Sequence, residues 1–383
     1  MRIFYAICYR RVGGSWVDKN FYPALIDMGH EVIRYDWDPP FHPTQSRRWH
    51  RKDKPEMNKI LVEKVREANE KEGIDLFFSY FNDRLVYPET IEKIRDMGIP
   101  TLNFYFDDTH DFDNIKNISP AFDYCWTTSR DAVPKYKEVG AKPIYAPPAA
   151  HPSFYKPYPL KRDFDVTFVG QGFGERPGIV RKIKEAGIDI RVWGHGWLRG
   201  KPIKDIIRSN FSFSHIKSNN YNIAKSIDQS IRDFYGYYVG WGGIKGREIK
   251  DLRDIAGPPL PFEELVKMYS RSRISLGFGG HGPLSEWRKR GRRLAAVKLR
   301  DFEAPMSRAF YLTGYIKDLE EFYNIGKEIV CYQDTDDLID KIKYYLAHED
   351  EAEEVREAGY QRARRDHTWT KRFEKIFKEM GIN

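Results

Sequence analysis

Short apolar runs typical of buried β-strands alternate with helical segments through the first 150 residues. These runs are Arg2–Tyr9, Glu31–Tyr35, Asp75–Ser79, Thr101–Phe106, Asp123–Thr128 and Pro143–Ala146. Between them, apolar residues recur at helical spacing, as they do in Met57–Asn69, and a glycine such as Gly73 ends the segment. Strands joined through helices run parallel, so the alternation predicts a doubly wound sheet with helices on both faces.

The alternation starts again after a proline-rich segment at residues 146–159, a composition typical of interdomain segments. Further strands are predicted at Asp163–Gly170, Ile188–Trp193 and Arg273–Phe278, and helices between Pro177 and Gly187 and at Phe262–Arg271. A chain of 383 residues also exceeds the length at which one hydrophobic core usually stops growing. We therefore predict an α/β protein with two Rossmann-like, doubly wound domains, residues 1–150 and 151–366, that face a cleft.

Residues 201–257 interrupt the second domain. They are basic, rich in tyrosine, serine and asparagine, and contain a glycine cluster at residues 236–246. The alternation of strands and helices is lost over the whole stretch. We predict an insertion that serves acceptor, membrane or partner binding and does not belong to the core of the fold.

The chain carries a formal charge of +8 at pH 7 and has a pI near 9.0. An excess of basic residues suits an anionic partner, such as a nucleoside diphosphate, an anionic lipid surface or a nucleic acid. The same excess also serves simply to keep a protein surface solvated. The sequence has no recognition-helix or RNP-like pattern, which makes a nucleic acid the weakest of the three candidates.

The expected location is the cytoplasm, with at most peripheral contact to an anionic membrane. No apolar run is long enough to span a bilayer, and the first residues lack the pattern of a signal peptide. Cys8, Cys125 and Cys331 lie far apart inside apolar runs, which favours buried thiols over disulfides or a zinc site. We expect no metal, because no zinc-ligand spacing appears, and we find no arrangement typical of a nucleophilic serine or cysteine.

The most informative pattern lies between residues 297 and 370. It consists of VKLRDFEAPMS at 297–307, AFYLT at 309–313, GKEIV at 326–330 and HTW at 367–369. This pattern resembles the CgeB-like (spore-maturation) glycosyltransferases and, more distantly, the GT-B glycosyltransferases that carry an E-x7-E signature. Segments 101–108, 165–170 and 191–194 resemble the same family, so the resemblance covers most of the chain outside residues 201–257.

The resemblance implies a GT-B fold and the transfer of a sugar from a nucleoside diphosphate sugar to an acceptor hydroxyl of a glycan, lipid or protein. Residues 1–150 would form the acceptor-side domain and residues 151–366 the donor domain, with no metal or organic cofactor. It also implies that a final helix, residues 367–383, crosses back to the N-terminal domain. Trp369 and Phe373 belong to the apolar stripe of that helix.

Glu303 matches the family position that binds the ribose of the donor. A carboxylate at the start of a helix can accept hydrogen bonds from two adjacent hydroxyl groups. The alternative is a first-turn glutamate that only complements the helix dipole. Lys298 and Arg300 precede it at alternate positions, which would place both on one side of an extended segment and make them candidates for binding phosphate.

A glycine-rich turn follows the strand Asp163–Gly170 and offers a second donor-binding element. Gly170 and Gly172 lie between this strand and the next helix, where backbone N–H groups attract pyrophosphate, and Arg176 stands at the start of that helix. A turn of this kind is common in α/β proteins. His281 follows the strand Arg273–Phe278, at a position where relatives contact the donor through the backbone.

Candidate catalytic residues follow the strand Thr101–Phe106. Asp107, Asp108 and His110 could remove the proton from the acceptor hydroxyl in an inverting enzyme, or position the substrates in a retaining one. Turn and capping chemistry is the second interpretation and a metal site a distant third. Another two residues, Gly13 and Gly14, match the acceptor-domain loop of GT-B enzymes, although a tight turn explains them equally well.

Two positions depart from the family pattern. Ala295 stands where the first glutamate of E-x7-E would contact the donor sugar, and Arg308 stands where relatives usually have glycine. The long side chain of Arg308 would either obstruct a phosphate or bind one. These departures keep two alternatives open: a nucleotide-sugar epimerase or hydrolase on the same fold, and a sugar-nucleotide-binding protein without turnover.

Overall fold

The computed structural model describes residues 1–7, 15–35, 49–106, 108–172, 174–197, 252–279 and 297–382. The chain forms two compact units. Unit 1 contains Met1–Phe154 and Ala363–Asn383, and unit 2 contains Tyr155–Arg362.

The described strands of unit 1 are β1 (Arg2–Ala6), β2 (Glu31–Arg34), β3 (Leu76–Ser79), β4 (Thr101–Tyr105), β5 (Tyr124–Thr127) and β6 (Pro143–Tyr145). Those of unit 2 are β7 (Phe164–Val169), β8 (Ile190–Trp193), β9 (Ala256–Gly257), β10 (Ser272–Gly277), β11 (Tyr311–Gly314) and β12 (Val330–Tyr332). The predicted strands are therefore present, most of them slightly shorter than the apolar runs suggest.

The described α-helices are α1 (Ser15–Asp27), α2 (Trp49–Glu72), α3 (Pro88–Arg95), α4 (Asp108–Asp111), α5 (Val133–Glu138), α6 (Arg176–Glu185), α7 (Phe262–Arg271), α8 (Arg300–Met306), α9 (Thr335–Ala347), α10 (Glu349–Asp366) and α11 (Trp369–Met380). Helix α2 begins well before the predicted Met57, because its polar first turns carry no apolar periodicity that would reveal them. Within the described ranges, none of these helices is both long and apolar enough to cross a membrane.

The sheet of unit 1 has the order β2-β1-β3-β4-β5-β6, and its paired strands are parallel. Its core is strongly aromatic. The ring of Phe21 on α1 lies 4.9 Å from that of Phe104 on β4 and 5.2 Å from that of Trp126 on β5. Large buried aromatic side chains thus join the first helix to the middle of the sheet.

Helix α11 belongs to unit 1 and packs on α1. Its residues Trp369 and Phe373 are fully buried, with their rings 4.8 Å and 5.6 Å from that of Phe21. The indole Nε1 of Trp369 donates a hydrogen bond of 2.6 Å to Oδ1 of Asn20. The last helix is therefore part of the core of unit 1, although it is distant from α1 in the sequence.

Arg372, also on α11, fixes the proline-rich segment that follows β6. Its Nε donates to the carbonyl oxygen of Pro147 at 3.0 Å, and its Nη2 to that of Pro148 at 3.3 Å. Nη2 also lies 3.2 Å from Nδ1 of the buried His367. A proline-rich backbone has few N–H groups to pair with, so a buried arginine satisfies its carbonyl groups instead.

The sheet of unit 2 has the order β12-β11-β10-β7-β8-β9, and its paired strands are parallel. The chain first builds outward from β7 to β9, and then returns to place β10 on the other side of β7. The order of the strands therefore reverses between β7 and β10. In open α/β sheets, ligands bind beyond the carboxyl ends of the strands at such a switch point.

The predicted insertion is wrong at its C-terminal end. Residues Ala256 and Gly257 form β9, which pairs in parallel with β8, and the preceding Leu252 and Ile255 are buried in the core of unit 2. A strand of two residues is too short to produce a periodic apolar pattern, which is why the sequence did not reveal it. Residues 201–251 lie outside the described part of the chain.

Arg308 ends helix α8 in a left-handed conformation, with a φ of 58°. Its side chain points to helix α10, where Nη2 lies 2.5 Å from Oε1 of Glu353 and Nε lies 2.7 Å from Oε2 of Glu357. These ion pairs give no support to the expectation that Arg308 obstructs or binds a phosphate. A left-handed residue after a helix explains a family preference for glycine, because only glycine adopts this conformation without strain.

We expect Phe373→Ala to destabilise the protein by about 3–5 kcal/mol, because it removes a fully buried ring from the contact between α11 and the sheet of unit 1. Urea unfolding followed by tryptophan fluorescence measures the change. Ile26→Ala on the more exposed side of α1 is the control and should cost less than about 1 kcal/mol. Equal costs for the two variants would contradict the core position of α11.

Two substitutions of Arg308 separate the effect of its backbone strain on stability from the effect of its ion pairs. Arg308→Ala loses both ion pairs and keeps the left-handed backbone, whereas Arg308→Gly loses the pairs but relieves the strain. We expect the glycine variant to be more stable than the alanine variant by about 1 kcal/mol. Thermal unfolding of the two proteins provides the test, and an alanine variant at least as stable as the glycine variant would argue against the left-handed conformation.

Candidate functional site

Two aromatic rings and an arginine lie together at the switch point of unit 2. Phe168 on β7 and Phe278 directly after β10 are in edge-to-face contact, with ring centroids 4.5 Å apart. The guanidinium group of Arg176, at the start of α6, lies 5.4 Å from the first centroid and 5.8 Å from the second. Its Nη1 donates to the carbonyl oxygen of Gln171 at 3.0 Å, which fixes the group near the carboxyl end of β7.

A second arginine reaches the same ring. The guanidinium group of Arg300, at the start of α8, lies 5.3 Å from the centroid of Phe168. Its Nε is buried and has no hydrogen-bond partner within the described ranges. Two cations thus lie close to one aromatic ring, in the place where an α/β sheet usually binds its ligand.

The two arginines influence each other electrostatically. Burial, together with the charge of Arg300, lowers the pKa of Arg176 to about 10. Burial acts to lower the pKa of Arg300 as well. The neighbouring Tyr269, Tyr311 and Glu303 outweigh this effect and raise that pKa. Both side chains remain charged at neutral pH, and a bound anion would relieve the repulsion between them.

The glycine turn after β7 is held in one conformation by its own backbone N–H groups. Gly170 donates to the carbonyl oxygen of Trp193 at 2.7 Å, and Gly172 donates to that of His195 at 2.8 Å. The expectation that these two N–H groups bind a phosphate is therefore not supported, because both are already used. In return, Nε1 of the buried Trp197 donates to the carbonyl oxygen of Gly170 at 2.6 Å.

The two glycines are needed for close packing instead. A Cβ atom on Gly170 would lie 2.6 Å from Cζ of Phe168 and 3.0 Å from Nη1 of Arg300. A Cβ atom on Gly172 would lie 2.7 Å from the indole of Trp197. The turn therefore allows the arginine and the aromatic rings to approach the end of β7 closely.

Glu303 lies on α8, one turn after Arg300, and only 8% of it is exposed. The hydroxyl group of Tyr155, itself 3% exposed, donates a hydrogen bond of 2.6 Å to its Oε1. Burial raises the pKa of Glu303, while the hydrogen bond from Tyr155 and the charge of Arg300 act in the opposite direction. No described residue donates a hydrogen bond to Oε2, so this oxygen can accept one from a ligand.

Asp301 fixes the first turn of α8. Its Oδ1 accepts a hydrogen bond of 2.7 Å from the hydroxyl group of Tyr311, and its Oδ2 accepts one of 2.6 Å from the backbone N–H of Lys298. The expected extended segment with Lys298 and Arg300 on one side is wrong, because α8 already begins at Arg300. Lys298 is exposed, whereas Arg300 is half-buried against Phe168.

In unit 1, Asp108 begins the short helix α4 and is fully buried. Its Oδ2 accepts a hydrogen bond of 3.1 Å from the hydroxyl group of Tyr136. This environment favours a structural role for Asp108 over contact with an acceptor. The side chain of His110 lies outside the described part of the chain.

Several other predicted site residues also lie outside the described residues. They are Gly13, Gly14, Asp107, His281 and Ala295. Among the residues that are described, no group of three or more histidine, cysteine or acidic side chains has a geometry that could hold a metal ion.

The sequence analysis missed Tyr155, Phe168 and Phe278. Phe168 and Phe278 stand at the carboxyl ends of predicted strands, so their position was a usable signal. Tyr155 lies in the proline-rich segment, and its partner Glu303 is 148 residues away. No local pattern could have joined these two residues.

Two solved structures illustrate the similarity of the fold. Sucrose-phosphate synthase from Thermosynechococcus elongatus aligns with a TM-score of 0.56 and 14% identity over 100% of this chain and 99% of its own. HepE from Anabaena, in complex with UDP and glucose, aligns with a TM-score of 0.53 and 11% identity over 100% of this chain and 99% of its own. The predicted class, two Rossmann-like domains of the GT-B type, is thereby confirmed.

Sequence comparison defines the family. No curated protein sequence shows significant similarity to the chain. The sequence pattern described as glycosyl transferase-like matches residues 176–378, which is more than half of the chain and includes Arg176, Arg300 and Glu303. The chain therefore belongs to the glycosyl transferase-like family.

Proposed function

We propose that this glycosyltransferase takes its sugar from a nucleoside diphosphate sugar bound at the switch point of unit 2, and transfers it to an acceptor hydroxyl. The observation that carries the proposal is the pair Arg176 and Arg300, whose guanidinium groups both lie close to the ring of Phe168. Two half-buried guanidinium groups that repel each other favour a doubly charged anion, and a diphosphate has the matching charge.

The two arginines would also stabilise the leaving group of the transfer reaction. When the bond between the sugar and the diphosphate breaks, negative charge accumulates on the leaving diphosphate. Two guanidinium groups already fixed in position stabilise that charge in the transition state without having to reorganise. The N–H groups of Gly170 and Gly172 are used within the protein, so they do not share in this stabilisation.

Glu303 would bind the ribose. Its Oε1 is held by Tyr155, and its Oε2 accepts no hydrogen bond from the described residues. A buried carboxylate oxygen forms strong, charge-assisted hydrogen bonds with hydroxyl groups. This environment supports the ribose role over a glutamate that only complements the helix dipole, which would need no buried partner.

The finer assignments are proposals that rest on the sequence. They comprise membership of the CgeB-like group, catalysis without a metal or other cofactor, a cytoplasmic location and peripheral contact with an anionic membrane. On the acceptor side, Asp107 and His110 stay candidates for the group that receives the proton, and Gly13 and Gly14 for the acceptor loop. His281 stays a candidate for donor contact through its backbone.

Isothermal titration with UDP, ADP and GDP tests the proposal, and UDP comes first because HepE was solved with it. We expect Arg176→Gln and Arg300→Gln each to weaken diphosphate binding by about 10- to 150-fold, the value of a hydrogen bond to a charged group. Binding of the nucleoside alone should change little, because it has no phosphate.

Arg191→Gln is the matched control, since this arginine is partly exposed on β8 and pairs with Asp189. It should leave the affinity unchanged. Equal losses for nucleoside and nucleoside diphosphate would show that the two arginines do not bind the phosphates. Product analysis with and without an acceptor distinguishes a transferase from a hydrolase or an epimerase.

Glu303→Gln should weaken UDP binding by about tenfold or more, while the new side chain keeps an oxygen for Tyr155. The wild-type affinity should also depend on pH. Burial raises the pKa of Glu303, and the ionised form is the one whose Oε2 accepts strongly from the ribose. Affinity is therefore full above this pKa and falls as the pH decreases through it. Titrations across the acidic range measure both effects.

The Glu303→Gln variant should not show the decrease in affinity at acidic pH, because it has no carboxylate to protonate. Undiminished affinity in Glu303→Gln would place the ribose elsewhere. A stability loss without any change in affinity would support the alternative of a purely structural glutamate.

A further inference from the structure

Tyr155 is the first residue of unit 2 and forms the short hydrogen bond to Glu303 described above. We propose that Tyr155 is a positioning residue for donor binding, which holds Oε1 of Glu303 and directs its Oε2 towards the ribose. The inference rests on the proposed function, since it concerns the orientation of the group assigned to the ribose.

The ring of Tyr155 is fixed by packing. It is almost fully buried, and it contacts the ring of Phe262 on α7 edge to face at a centroid distance of 5.3 Å. A tyrosine hydroxyl has a single proton to donate, and here that proton goes to Oε1 of Glu303. The rigid ring thus fixes one carboxylate oxygen and thereby sets the plane in which the other lies.

The groups around Glu303 act on its protonation in opposite directions, and the hydrogen bond from Tyr155 is one of them. Burial and the neighbouring Asp301 favour the protonated form of Glu303, whereas the hydrogen bond from Tyr155 and the charge of Arg300 favour the ionised form. Tyr269 on α7 also faces this group, and Glu303 raises its pKa in turn. Tyr155 is therefore one of only two described groups that act against the protonation of Glu303.

Tyr155→Phe keeps the ring and removes only the hydroxyl group. We expect this variant to bind UDP about three- to tenfold more weakly at neutral pH, as for the loss of one hydrogen bond. Binding of 2′,3′-dideoxy-UDP should be unchanged, because it has no ribose hydroxyls for Glu303 to hold. The pH at which UDP affinity is half lost should rise, since the ionised carboxylate has lost a donor.

Tyr136→Phe in unit 1 is the matched control. It also removes a buried tyrosine hydroxyl that donates to a buried carboxylate, that of Asp108. UDP affinity and its pH profile should stay as in the wild type. In a Glu303→Gln background, Tyr155→Phe should cause little further loss of UDP affinity, because both residues act through one interaction.

The outcomes separate the two proposals. A wild-type protein that binds none of UDP, ADP and GDP overturns the proposed function itself. Weak UDP binding by Glu303→Gln, beside unchanged affinity and an unchanged pH profile in Tyr155→Phe, overturns only the role of Tyr155. A uniform loss for UDP and the dideoxy nucleotide, or a Tyr155→Phe protein that does not fold, would also overturn it, because the hydroxyl group would then be structural.

Discussion

The proposed site depends on the contact between Phe168 and Phe278, which lies at the switch point of unit 2. The strand order reverses between β7 and β10, and ligands of open α/β sheets bind beyond the strand ends at such a point. Two rings in edge-to-face contact place apolar surface there. The guanidinium groups of Arg176 and Arg300 lie 5.4 Å and 5.3 Å from the centroid of Phe168, so the anion site that we propose depends on this aromatic contact.

Helix α8 shows how charge is tolerated in a buried segment. It carries Arg300, Asp301 and Glu303 within its first four residues, and burial raises the pKa of both acidic groups. Tyrosine hydroxyl groups from elsewhere in unit 2 donate to both carboxylates. Hydrogen bonds between buried polar groups are costly to break, which makes these two suitable for holding a binding group in one orientation.

The fold was predictable because buried parallel strands are continuous apolar runs, whereas β9, with two residues, has no such run. Arg176, Arg300 and Glu303 were found through their places at element ends and in the family pattern. The use of the Gly170 and Gly172 N–H groups was not predictable, because it depends on the strand next to them in space. The pairing of Tyr155 with Glu303 was hidden for the same reason.

The left-handed conformation of Arg308 has a consequence for the influence of ionic strength. The strain in its backbone is a local steric effect, which dissolved salt does not alter. The attraction to Glu353 and Glu357 acts between partly exposed charges, and mobile ions screen it, with a Debye length of about 8 Å at physiological ionic strength. The net contribution of Arg308 to stability therefore decreases as the salt concentration rises. A relative with glycine at this position would show no such dependence on salt.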